Sequence, residues 1–109
     1  MLFTYTDYLD QWNSQHPDQI WLRERKGDAT TDWSWHEAHT EINAIACWFE
    51  SRFADTGHRI WLLSRNRAHW YFADLGACAA GHVVVPMFTT ASSETAAYVM
   101  NFTEMKVLF

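Results

Sequence analysis

From residue 59 to residue 109 the chain alternates short apolar runs with helical stretches, and this alternation constrains the fold more than any other feature. Residues 59–64 (RIWLLS) form a brief apolar run that reads as a buried strand. Residues 68–80 follow, apolar almost all round through Trp70, Tyr71, Phe72, Leu75 and Cys78, the pattern of a helix buried on several sides. Gly81 closes that helix. Residues 82–88 (HVVVPMF) are a continuous apolar run, as expected of a strand covered on both faces of a parallel sheet. Ser92, Ser93 and Glu94 open a further helix carrying Ala97, Tyr98, Met100 and Phe102, and residues 106–109 (KVLF) make a third strand. The order is β-α-β-α-β, and right-handed crossovers make the three strands parallel.

The first half adds a helix and a hairpin. Over residues 4–15, Tyr5, Tyr8, Leu9 and Trp12 recur at spacings of three and four, and Pro17 disfavours helix at the residue before it. Residues 20–25 set Ile20, Leu22 and Glu24 alternately against Trp21, Arg23 and Arg25. Gly27 and Asp28 signal a turn, and residues 30–35 are β-prone. Ser34 and Glu37 have the spacing of a capping box, so a helix begins there and runs to about residue 54. Its apolar stripe is Ala38, Ile42, Ile45, Ala46, Phe49 and Phe53. The expected fold class is therefore α/β: an N-terminal helix and β-hairpin followed by a β-α-β-α-β parallel-sheet unit.

Composition excludes several classes. With 49% hydrophobic residues, the 109-residue chain has enough apolar surface to offset chain entropy, so it is not disordered. Eight Lys and Arg against 13 Asp and Glu leave a net charge of −5, the wrong sign for a general nucleic-acid binder. No apolar run reaches the roughly 20 residues a bilayer requires. The opening MLFTYTDYLDQW lacks a basic stretch and carries Asp7 and Asp10, which speaks against a secretory signal. Cys47 and Cys78 lie in apolar helical stretches and read as reduced core thiols of a cytoplasmic protein. Domains usually end in polar residues, whereas this chain stops on an apolar strand, so the expectation is a partial domain, residues 1–109, truncated at its C-terminal end.

Ligands of open parallel sheets bind beyond the carboxyl ends of the strands. Here those ends supply Ser64, Arg65, Asn66 and Arg67, then Met87, Phe88, Thr89 and Thr90. Arg65 and Arg67 could meet an anion, with hydroxyls from Thr89 and Thr90. The plainer reading is solvated loop charges and a turn before a helix cap. Both glycine-rich phosphate fingerprints are missing, and only four glycines occur. His36 and His39 sit one helical turn apart beside Glu37, without the H-E-x-x-H spacing or a third ligand, and read as helix-surface residues. The many aromatic residues between positions 5 and 49 read as core against something larger, with a binding surface as the alternative. The residues taken alone offer no assembled active site: no catalytic, cofactor-binding or metal residue is assigned.

Residues 66–109 carry a longer pattern. Asn66, Trp70, Asp74-Leu75, Ala80-Gly81 and Val85-Pro86, then a helix leading to KVLF, resemble the N-terminal region of adenylate-forming (AMP-binding) acyl-CoA synthetases. Upstream, HPDQIWLRE, TTDWSWHEA and GHRIWLLSRN follow the family's order, so the resemblance runs from about residue 8 to residue 109. His58 stands where the family usually has Asp, and Met87-Phe88-Thr89 replaces a Leu/Ile-aromatic-Pro loop. These departures bear on the subfamily, and the Val-Pro-aromatic-Thr-Thr ending leans toward the long-chain fatty-acid branch.

The resemblance implies a two-step reaction. A carboxylate attacks the α-phosphate of ATP with Mg²⁺, giving acyl-adenylate and pyrophosphate, and a thiol, usually of coenzyme A, then displaces AMP. It also implies that the Ser/Thr/Gly-rich lysine loop, the adenine-binding segment, the ribose-binding Asp and the C-terminal lysine lie outside residues 1–109. ATP, Mg²⁺ and CoA are thus expected of the full-length enzyme, with none bound by these residues alone. The expected partners are the remainder of the polypeptide and a small carboxylate substrate, with no nucleic acid and no transmembrane segment. The alternative is a stand-alone, non-catalytic α/β binding or interaction module.

Overall fold

The computed structural model describes residues 4–109. Its elements are α1 (Tyr5–Gln15), β1 (Ile20–Lys26), β2 (Ala29–Ser34), α2 (Trp35–Arg52), β3 (Arg59–Leu63), α3 (Ala68–Ala79), β4 (Val83–Met87), α4 (Ser93–Thr103) and β5 (Val107–Leu108). The expected order of helix, hairpin and β-α-β-α-β unit is observed.

Local chemistry starts the helices. The Glu37 amide donates to Ser34 Oγ at 3.1 Å while Glu37 Oε2 accepts from the Ser34 amide at 2.9 Å, so two otherwise orphaned donors are satisfied reciprocally. Thr4 and Asp7 do the same for α1. The backbone N–H of Thr4 on the Asp7 carboxylate, helped by its hydroxyl, holds that carboxyl below its ordinary range. At the start of α4, Ser92 Oγ accepts from the Thr95 amide at 3.2 Å.

The hairpin β1–β2 is antiparallel, closing through Lys26 opposite Ala29. Its register shifts between Ile20 and Leu22, so strict alternation fails there. Trp21 and Leu22 are both half-buried while Ile20 is exposed. An irregularity of this kind re-aims side chains, here placing two adjacent apolar residues against the core.

Two core clusters share α2. One joins Leu9 of α1, Ala38 and Ile42 of α2, and Ala68 and Phe72 of α3. The other joins Ala46 and Phe49 of α2, Ile60 of β3, and Ala77 and Ala80 at the end of α3. Each fully buried ring, such as Phe49 or Phe72, contributes on the order of 1.5–3 kcal/mol. α2 and α3 approach closely at Gly76, where a Cβ would stand 2.6 Å from Ile45 Cγ2 and 3.1 Å from the Ile42 carbonyl oxygen.

The second sheet is parallel, in the order β4-β3-β5. β3 is central, and Ile60, Trp61 and Leu62 are buried. β5 pairs Val107 with Ile60, and the pairing continues through Phe109, whose amide donates to the Trp61 carbonyl at 2.8 Å. The expectation that residues 82–88 are covered on both faces is corrected: β4 is an edge strand, with Val83 and Pro86 exposed. A proline, which lacks an N–H, is tolerated at such an edge. α3 likewise leaves one side open at Tyr71 and Cys78. The core-thiol reading is also corrected. Cys47 and Cys78 are both exposed, because each lies on its helix away from the faces that α2 and α3 press together.

Candidate functional site

The loops at the carboxyl ends of β3 and β4 enclose a cleft of about 450 Å³. One wall is Ser64, Arg65 and Asn66 with Trp70 from the first turn of α3. The other is Pro86 and Met87 of β4 with Phe88 and Thr89 beyond it. Parallel pairing of β3 with β4, Leu63 opposite Met87, brings the two loops to the same end of the sheet. The structure thus joins Arg65 and Thr89 as the topology anticipates, and excludes two other candidates. Arg67 turns away to the hairpin, its Nε 3.4 Å from Glu24 Oε1, and Thr90 does not line the cleft.

Arg65 is the one charged residue lining the cleft, and it makes no ion pair among the described residues. Phe88 is 82% exposed over the opening. Chemically the cleft presents one guanidinium, two hydroxyls, an amide side chain and apolar walls. That set can orient an anion or a polar group against an apolar surface. No carboxylate is among its lining residues.

The other candidates fall apart as sites. His39 Nε2 lies 2.7 Å from Asp10 Oδ1, and its Nδ1 lies 3.2 Å from Asn43 Nδ2, while the Glu37 side chain is committed to the helix cap. Among the described residues no three His, Cys, Asp or Glu side chains are grouped to hold a metal. Partial burial and the neighbouring Asp74 carboxylate push the Cys78 thiol up, away from the reactive thiolate form.

Two clusters take shape only in three dimensions, one from the aromatic residues between positions 5 and 49 and one from histidines that sequence reading left aside. Trp12, Trp35 and Trp21 stack in succession, with ring centroids 5.4 and 4.6 Å apart, beside a groove floored by Leu9 and Leu75. At the opposite end of the sheet from the cleft, His82 is buried beside His58 and Asp55. Only the Asp55–His58 pair, three residues apart, has a local signal; His82 joins it from 24 positions away.

A helix and hairpin leading into a parallel sheet with loops at its carboxyl end form a fold that recurs in solved structures. The fold superposes on the fatty acid AMP ligase from Legionella pneumophila with a TM-score of 0.86 at 18% identity, over 94% of this chain and 18% of that one. It also matches the N-terminal subdomain of Klebsiella oxytoca NpsA, with a TM-score of 0.85 at 17% identity, over 99% of this chain and 27% of that one.

The chain belongs to the AMP-binding enzyme family, whose model matches residues 9–109. It is 31% identical over 93 residues to the long-chain-fatty-acid–CoA ligase FadD15 of Mycobacterium tuberculosis, covering 85% of this chain and 16% of the ligase. It is 27% identical over 95 residues to the long-chain-fatty-acid–CoA ligase ACSBG2 of Xenopus laevis, covering 87% of this chain and 13% of that protein. The chain therefore spans about a sixth or less of the length of the curated relatives it matches. Among the described residues no helix is long and apolar enough to cross a membrane.

Proposed function

We propose that residues 1–109 are a partial N-terminal domain of an ATP-dependent, AMP-forming acyl-CoA synthetase that acts on a long-chain fatty acid in the cytoplasm. The observation that carries this reading is the family match across residues 9–109, supported by the identity to long-chain-fatty-acid–CoA ligases. In the whole enzyme a carboxylate oxygen bonds to the α-phosphorus of ATP as the bond to pyrophosphate breaks. The thiol of coenzyme A then attacks the acyl carbon and AMP leaves. ATP, Mg²⁺ and CoA belong to that full polypeptide, with the remainder of the chain as partner to these residues and the carboxylic acid as substrate.

The contribution of this segment is positional. β3, buried and paired on both sides, anchors the 64–67 loop, and β4 anchors the 88–92 loop, so the cleft is presented on rigid strands. Catalysis of phosphoryl and acyl transfer needs donors and cations preorganised around developing charge, and this cleft supplies one cation. The test is carboxylate-dependent exchange of labelled pyrophosphate into ATP. The full polypeptide is expected to support exchange with a long-chain fatty acid, and residues 1–109 alone to support none. Exchange by the isolated 109 residues overturns the scaffold role. Absence of fatty-acid-dependent exchange by the full polypeptide overturns the assigned activity.

A further inference from the structure

The amino-terminal ends of β3 and β4 are interlocked by four contacts. The Gly57 amide donates to the Gly81 carbonyl at 2.9 Å, and the Val83 amide to the His58 carbonyl at 2.9 Å. Gly81, at φ +86°, lies against Thr56, whose Cγ2 would be 2.9 Å from a Cβ there. The fourth contact is a side chain: His82 Nδ1 accepts the His58 backbone N–H at 3.3 Å. Because that nitrogen receives a proton donor, it carries a lone pair and not a hydrogen, so the neutral ring has its proton on Nε2.

The ring has little access to water. His82 is 6% exposed, packed on Phe49 and Phe53 of α2 and its cap, with ring centroids at 5.3 and 5.5 Å. The His58 ring stacks on it at 5.4 Å, and His58 Nε2 meets Asp55 Oδ1 at 2.7 Å. The titratable groups that act on His82 are thus His58 and Asp55, while α2 and α3 turn Phe49, Phe53 and the Ala77 carbonyl toward its residue. Burial, with His58 acting in the same direction and Asp55 partly opposing, holds His82 below the ordinary histidine value of 6.5.

We propose that the His82–His58 contact is an acid-labile clasp that holds the 54–58 loop onto the start of β4. A proton added to Nδ1 points an N–H at the His58 N–H, so the hydrogen bond is lost and a cation is left against two phenyl rings. The strands are five residues long, so the carboxyl-end cleft stands roughly 17 Å away. Opening is local to the amino-terminal end and leaves the cleft in place.

The sign follows from linkage. The open form binds the proton more tightly than the closed form, so closure is complete above the ordinary histidine value and is lost as pH falls below it. The test is amide hydrogen exchange in the full chain, expressed as protection relative to the intrinsic rate at each pH. Protection of the His58 and Gly57 amides is expected to fall several-fold between pH 7.5 and pH 5 (roughly the window around the free histidine value), with the 64–67 loop unchanged. H82N, which offers a carbonyl acceptor that does not titrate, is expected to flatten the step, and H82F to lower protection at every pH. In the unsubstituted chain, the His82 ring resonance should titrate with the same midpoint as the loss of protection. A step that persists in H82N, its absence in the unsubstituted chain, or unequal midpoints overturns the clasp.

Discussion

α3 and α4 have nearly the same length, 12 and 11 residues, and both carry aromatic and alanine residues, yet they are buried very differently. α3 buries Ala68, Phe72, Ala73, Gly76 and Ala77, while α4 buries no residue. The cause lies in what each helix faces. α3 presses on α2 through Gly76 and reaches β3 through Ala77, so its small residues become a close-packed seam. α4 is tied to the sheet by the hydrogen bond from Trp61 Nε1 to Thr103 Oγ1 at 3.1 Å. Tyr98 and Phe102, 68% and 76% exposed, stack on one another at 6.0 Å. An apolar pattern states that a face tends to be covered. It does not state by what.

F72A should cost about 3–5 kcal/mol of unfolding free energy in urea, because the ring is fully buried and its T-shaped neighbour Trp33 cannot fill the space. G76A should cost about 1–3 kcal/mol, since the added methyl meets Ile45 at 2.6 Å and a backbone carbonyl just behind it. F102A should lie within about 0.5 kcal/mol of the unsubstituted chain, as a surface substitution does. A loss for F102A comparable to that for F72A would show that α4 is packed as tightly as α3. A neutral G76A would show that the seam between α2 and α3 can open without strain.

Much of this fold is legible locally. The Ser34–Glu37 spacing marks the start of α2 because a capping box is a four-residue device that needs nothing from the rest of the chain. The stripe of Ala38, Ile42, Ala46 and Phe49 is likewise visible from periodicity, and all four are buried. The parallel direction of β3, β4 and β5 follows from the helix that crosses over between successive strands. The meeting of Arg65 and Thr89 in one cleft follows in turn, since parallel strands bring successive loops to one end.

What stays hidden is lateral position. The apolar run of β4 suits a central strand, but β3 takes the centre and leaves Val83 and Pro86 at an edge. Cys47 and Cys78 lie in apolar stretches, yet point away from the seam. Arg67 was as plausible a cleft residue as Arg65 until the hairpin placed Glu24 beside it. The His82–His58 contact joins residues 24 positions apart, through a nitrogen that sequence spacing does not reveal.

Local residue patterns set where helices and strands begin and end, their order, the direction of the second sheet and the family. These depend on caps, turns and periodicities that act over a few residues, and on a string of spacings that local substitution leaves intact. Tertiary structure alone decided which strand is central, which arginine reaches the cleft, which cysteines meet water and which histidine is sealed beneath phenyl rings. Those outcomes depend on which surfaces compete for the same neighbour, and burial is a property of the pair, not of either sequence segment alone.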